Sequence, residues 1–274
     1  MCIRDRHYIM KRLDKLFSAL KVKKEKALVV YITAGDPDRE STLNFMHTLA
    51  DSGADILEIG FPFSEPMADG PVIQRAMARS LRKGTSLEEV LQIIATFRSK
   101  NTTTPIVLMG YLNPIYRMGY QNFADKAAAA GIDATLIVDC PFDMMGDLKK
   151  ELEKKAMDPI FLLAPTSTET RVKMLGKAAR GFLYYVSLKG VTGSSVLDTK
   201  AVEKKLAQIK REVNCPVVVG FGIHSQEEAA EVARFADGIV VGSRIVALIE
   251  EQGRQAASAM ASVTRELKAV THHL

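Results

Sequence analysis

Short runs that are apolar at nearly every position alternate along this chain with longer stretches whose apolar residues recur every three or four positions. The runs fall at 27–33, 54–59, 105–109, 134–138, 159–163, 181–186, 216–219 and 238–241. Continuous, β-branched runs predict strands of a parallel sheet covered on both faces. The stretches between them predict amphipathic helices. Leu87, Val90, Leu91 and Ile94 share one face, as do Leu148, Leu152 and Ala156. Gly35-Asp36-Pro37 stops the first run, and a helix is expected over 39–52. Leu13, Phe17 and Leu20 predict an extra N-terminal helix; Ala256, Met260, Val263, Leu267 and Val270 predict a closing C-terminal one. Eight strand–helix units in about 250 residues predict the α/β class and a (β/α)8 TIM barrel. An open doubly wound sheet would show fewer strands and often an early G-x-G-x-x-G, which this chain lacks.

Composition narrows the picture only by exclusion. Apolar residues are 47% and charged residues 25% of 274, ordinary for a globular chain. No apolar run approaches the ~20 residues of a bilayer span, so no membrane segment is expected. The net charge of +5 is diluted by interleaved acids and no basic–aromatic stripe occurs, which argues against nucleic acid. Cys2, Cys140 and Cys215 have no paired or metal-like spacing, and His272 and His273 cannot share a helical face. A reduced, cytoplasmic protein without a metal is the expectation. Residues 1–9 differ from the rest and are expected to be an extension with no role, leaving 10–274 as a single barrel domain.

The chemistry is concentrated in the stretch 55–71. Glu58 interrupts an apolar strand, where a carboxylate is costly unless paired or used. Asp69 follows on a loop of Pro and Gly. Two acids, one on a strand end and one on the loop it feeds, suit general acid–base catalysis. In a barrel both lie on the C-terminal rim, with Asp139 after the fourth strand and a turn at Tyr111-Leu112-Asn113-Pro114 after the third. Glycine clusters after the last three strands (Thr192-Gly193, Gly220-Phe221-Gly222, Gly242-Ser243) predict a phosphate site. There backbone N–H groups meet the anion, and Ser243 is expected to cap a helix.

The motifs Leu57-Glu-Ile-Gly-Phe-Pro-Phe-Ser-Glu-Pro-Met-Ala-Asp-Gly-Pro71, Thr33-Ala-Gly-Asp-Pro37, Gly190-Val-Thr-Gly193, Gly220-Phe-Gly222 and Gly242-Ser243 carry a resemblance. From about Met10 onward the chain resembles the tryptophan synthase alpha chain family. The resemblance implies a lyase that reversibly cleaves indole-3-glycerol phosphate to indole and glyceraldehyde 3-phosphate in tryptophan biosynthesis. It implies Glu58, partly desolvated among Ile56 and Phe61, as the proton shuttle and an ionised Asp69 accepting from the indole N–H. Tyr31, Tyr111, Asp139 and Tyr184 would contact substrate, and Thr192 and Gly193 would belong to a closing loop. It further implies an α2β2 heterotetramer with a beta chain that carries pyridoxal phosphate, and no cofactor here. The 36–37 loop, the Ser64-Glu65-Pro66 loop and 111–114 would face that partner. Glu65 stands where the family commonly has Asp, and Met67 where Leu is usual. Another phosphate-binding barrel, such as an indole-glycerol-phosphate synthase or a phosphoribosyl isomerase, would be expected to carry a catalytic Lys or Asp/Cys on strand ends. Glu58 is on the second strand and no lysine lies on any strand end, which argues against the synthase. A regulatory subunit that mainly activates its partner, and a stand-alone indole-releasing lyase, are the other readings.

Overall fold

The computed structural model describes residues 11–187, 198–220 and 225–272. The expected extension over 1–9 lies outside them. The chain opens with α1 (Arg12–Lys23), β1 (Ala27–Thr33), α2 (Arg39–Asp51) and β2 (Ile56–Gly60). Two helices follow, α3 (Pro71–Arg82) and α4 (Leu87–Arg98), and then β3 (Ile106–Gly110). Next come α5 (Leu112–Met118), α6 (Tyr120–Ala129), β4 (Ala134–Ile137) and α7 (Gly146–Lys154). The strands β5 (Asp158–Pro159) and β6 (Phe161–Leu163) precede α8 (Glu169–Ala178), β7 (Leu183–Val186) and α9 (Thr199–Glu212). The last elements are β8 (Val217–Gly220), α10 (Gln226–Phe235), β9 (Gly238–Val241), α11 (Ser243–Gln252) and α12 (Ala257–His272). No helix among the described residues is long and apolar enough to cross a membrane.

All pairings are parallel, in the order β5-β4-β3-β2-β1-β9-β8-β7-β6. The strand expected over 159–163 is thus two short pieces. Pro159 has no N–H to give a ladder, and the chain changes partner at Ile160. Before it, Asp158 and Pro159 pair with β4; after it, Phe161 to Leu163 pair with β7. One residue therefore separates the two ends of the sheet order, and chain continuity brings the barrel round on itself.

Side-chain alternation divides the core in two. Val29, Tyr31, Ile56, Val107, Met109, Leu136, Tyr184, Val218 and Val240 fill the barrel interior. Leu28, Val30, Leu57, Ile59, Phe61, Ile106 and Leu108 pack outward against the helices. The expected N-terminal helix closes the bottom: Leu13 joins the interior cluster and Phe17 packs on Phe182 with ring centroids 5.9 Å apart. The tail helix α12 is present as expected, with Met260, Val263 and Leu267 buried.

A repeated polar device also rims the bottom. Asp55, Asp133 and Asp237 each stand immediately before a strand, β2, β4 and β9 respectively. Each accepts, at 2.8 Å, the N–H of the neighbouring strand: Leu28, Ile106 and Val217 respectively. Each is also ion-paired: Asp55 with Lys268, Asp133 with Arg12 and Arg98, and Asp237 with Lys210. Staggered parallel strands leave such first N–H groups without a ladder acceptor, and a buried donor left unpaired is costly. Paired polar groups at this end serve stability, which leaves the opposite rim for chemistry.

Candidate active site

β2 places Glu58 inside the barrel because it shares the face of Ile56 and Gly60. Phe61, expected beside it, points the other way. It lies over Gly110 in the outer layer, since successive side chains on a strand alternate faces. Glu58 is more deeply buried than expected, at 1% exposure, and its Oε1 has no hydrogen-bond partner among the described residues. Burial, and then the charge of Asp69, push its carboxyl up from 4.5 to about 8.

Asp69 is carried on the loop between β2 and α3. Its Oδ2 accepts from the Tyr111 hydroxyl at 2.6 Å, and that hydroxyl accepts from the Ala68 N–H at 3.1 Å. Its Oδ1 has no partner among the described residues. Burial raises the Asp69 carboxyl above the usual range, and the Tyr111 hydrogen bond opposes that rise. The ionised Asp69 expected from sequence therefore depends on Tyr111 for its support.

Tyr31, on β1, donates to or accepts from the Thr33 hydroxyl at 3.1 Å. Its ring crosses the space above Gly60, where a β-carbon would meet the Tyr31 hydroxyl at 2.2 Å. Tyr184, on β7, crosses Gly220 in the same way, at 2.1 Å. Burial lifts both phenols well above 10, and the charges of Glu58 and Asp69 add to it. All four groups are buried, Tyr31 pairs in register with Glu58, and Tyr31 and Tyr184 belong to the interior cluster, so these charges act in a low-dielectric chamber. Gly220, expected as a phosphate contact, owes its missing side chain here to Tyr184.

Several expectations need correction in detail. The segment after β3 is a helix, not a turn. Asn113 and Pro114 lie in the first turn of α5, where a missing proline N–H costs nothing. Ser243 is the first residue of α11; Gly242 occupies the cap position, and no side chain caps that end. The free N–H groups of this first turn remain available to an anion. Asp139 is exposed, and its carboxylate accepts from the Leu112 N–H at 2.8 Å, so it ties the α5 start to the rim. Thr192, Gly193, Phe221 and Gly222 lie outside the described residues.

Phe63 was missed from sequence. It stacks on Tyr111 with centroids 4.9 Å apart and planes inclined by 22°. Strict alternation would place Phe63 on the outer face with Phe61; β2 ends at Gly60, so the strand period gave no signal for Phe63. Cys140 is buried and its thiol is pushed up by that burial, as suits an inert packing residue. Among the described residues no group of three His, Cys, Asp or Glu side chains is placed to hold a metal.

Such a chamber can give and take a proton within an aromatic pocket and hold an anion at one end. A sequence model of the tryptophan synthase alpha chain family matches residues 17–273. A tryptophan synthase alpha chain of Neisseria meningitidis is 50% identical over 259 residues, 94% of this chain and 98% of its own length. That of Thioalkalivibrio sulfidiphilus is 52% identical over 242 residues, covering 88% and 91%. Tryptophan synthase subunit alpha from Legionella pneumophila superposes with a TM-score of 0.89 at 39% identity, covering 97% of this chain and all of the other (100%). A chain from the tryptophan synthase complex of Pyrococcus furiosus gives 0.82 at 37%, covering 89% and 98%. The chain belongs to the tryptophan synthase alpha chain family, the lyases that cleave indole-3-glycerol phosphate in tryptophan biosynthesis.

Proposed function

We propose that Glu58 and Asp69 carry the cleavage between them. The supporting observation is a pair of buried carboxylates, each with an unpartnered oxygen, in a chamber walled by tyrosines. With its carboxyl at about 8, Glu58 is largely protonated at neutral pH. It gives that proton to indole C3, and the positive charge then spread over the ring rests against ionised Asp69 at the N–H. The carboxylate of Glu58 next takes the proton of the side-chain hydroxyl as the carbon–carbon bond breaks. Indole and glyceraldehyde 3-phosphate leave, and Glu58 is protonated again for the next turnover. The phosphate lies at the N-terminus of α11, at Gly242 and Ser243, with Gly220 at the end of β8 and the following Phe221 and Gly222 as further contacts. Tyr31, Tyr111 and Tyr184 line the indole pocket, Asp139 braces its rim, and Thr192 and Gly193 belong to the loop that closes it.

The partner is a beta chain, in an α2β2 assembly, and pyridoxal phosphate belongs to that partner; the cytoplasm is the compartment. Ser64, Glu65 and Met67 are exposed beside the active-site loop, and Tyr116 and Met144 are exposed large apolar groups nearby on the chain's rim elements. Exposed apolar groups around a catalytic loop suit a docking face. Indole release from indole-3-glycerol phosphate, with and without beta chain, tests the assignment in wild type, Glu58→Gln and Asp69→Asn. Both variants should fall by ~10²-fold or more. Variants as active as wild type would remove these two acids from the mechanism.

A further inference from the structure

We propose that Arg79 is a positioning residue for the cleavage. It sets the distance between the Asp69 end and the phosphate end of the substrate by clamping three rim elements together. The inference rests on the roles given above to Asp69 and to the start of α11.

α3 begins at Pro71, two residues beyond Asp69, and the Gln74 side chain donates back to the Asp69 carbonyl at 2.9 Å. Wherever α3 sits, Asp69 goes with it. Two turns along that helix, Arg79 uses three N–H groups on two carboxylates. Nε and Nη2 donate to the two oxygens of Asp36 at 2.8 Å each, and Nη1 donates to Glu250 Oε1 at 2.7 Å. Arg75, one turn earlier, donates to both oxygens of Glu250 at 2.8 and 2.7 Å. Glu250 lies on α11, the helix that starts at the proposed phosphate site. Asp36, only 1% exposed, lies on the loop after β1.

That loop is pressed hard against α3. Ser80 donates to the Ala34 carbonyl at 2.6 Å, and Gly35 adopts φ +81° where a β-carbon would meet Thr85 Oγ1 at 2.1 Å and Ser80 Oγ at 2.5 Å. A substrate held at Asp69 and at Gly242–Ser243 reaches from the rim of β2 to the rim of β9. β1 lies between these two strands in the sheet. The clamp joins the segments after those same three strands. Ordinary surface ion pairs are worth little and connect nothing in particular. This one has a buried carboxylate at its centre and a bidentate arginine, a geometry that lysine cannot reproduce. Glu250 stays ionised at any working pH, since Arg75 and Arg79 hold it down at about 2 against partial burial.

Arg79→Lys and Glu250→Gln, in the full chain with and without beta chain, test the inference. The readouts are kcat and KM for indole-3-glycerol phosphate, Kd for glycerol phosphate (the substrate's anionic end without its indole), and Tm. Arg79→Lys should lower kcat/KM by about 10–100-fold, the loss that a small misplacement of reacting groups produces. Glycerol phosphate should bind within about twofold of wild type, because its proposed contacts, at the start of α11 and at 220–222, do not include Asp69. Glu250→Gln, which keeps the Asp36 pair, should lose a smaller factor, and the double variant should be no worse than Arg79→Lys, as for residues acting as one unit. The inference is overturned if both single variants keep wild-type kcat/KM, if glycerol phosphate weakens in step with catalysis, or if the two losses multiply. Should Arg79→Lys fail to fold, Glu250→Gln decides by the same criteria. Full activity in Asp69→Asn would instead overturn the site assignment beneath it.

Discussion

Replacing Tyr111 by Phe removes one oxygen and keeps the ring, which is 1% exposed and stacked on Phe63. The fold should therefore survive. What is lost is the 2.6 Å hydrogen bond to Asp69 Oδ2, leaving both carboxylate oxygens without a partner among the described residues. A hydrogen bond to a charged group is worth about 1.5–3 kcal/mol. At 1.36 kcal/mol per pKa unit, that lifts the Asp69 carboxyl by ~1–2 units beyond its already raised value. In the proposed cleavage Asp69 is ionised and Glu58 protonated. The acid limb of the kcat/KM–pH profile should therefore move up by ~1–2 units in the variant. The alkaline limb, set by Glu58 at about 8, should stay close to place. The active window narrows from below, and raising the pH towards 8 recovers part of the activity lost at pH 6. Initial rates of indole release across pH 5–10 measure this. An acid limb that stays put while the whole profile drops would show that Tyr111 acts on substrate and not through Asp69.

Glu58 also links function to stability. Its carboxyl is raised from 4.5 to about 8 on folding, so the native state binds a proton that the unfolded chain releases. Stability on its account is full below pH 4.5 and is lost as the pH rises through about 8. Glu58→Gln, neutral at every pH, should be the more stable protein at pH 8–9, by on the order of 4 kcal/mol, in urea unfolding. Equal midpoints at pH 9 would show that the native carboxyl ionises without cost. At the bottom of the barrel, Asp133→Ala removes the carboxylate partner of the partly buried Arg98 and of Arg12 and leaves the Ile106 N–H without its acceptor. Unfolding free energy should fall by about 3–5 kcal/mol while the folded fraction cleaves at the wild-type rate.

The alternation of apolar runs and amphipathic stretches determined the barrel, both end helices and the rim on which the acids lie. Those features follow from local period and burial, which a sequence carries directly. Glu58 was legible because a charge within an apolar strand is conspicuous, and Asp69 because it stands in a stiff Pro-Gly loop. The exchange of partners at Ile160 was not, since it depends on which neighbours lie at either side of Pro159. Nor was the capping role of Gly242 in place of Ser243, which backbone geometry alone decides. Tyr111 was named from its position after β3, yet its hold on Asp69 spans 42 residues and exists only where the rim closes. Arg79 gave no signal at all: its partners lie 43 and 171 residues away on other loops and helices. The sequence alone determined which residues could bear charge in the core. Only the tertiary structure decided which of those charges meet, how far burial shifts them, and what braces them, because these depend on distance in space and exclusion of water.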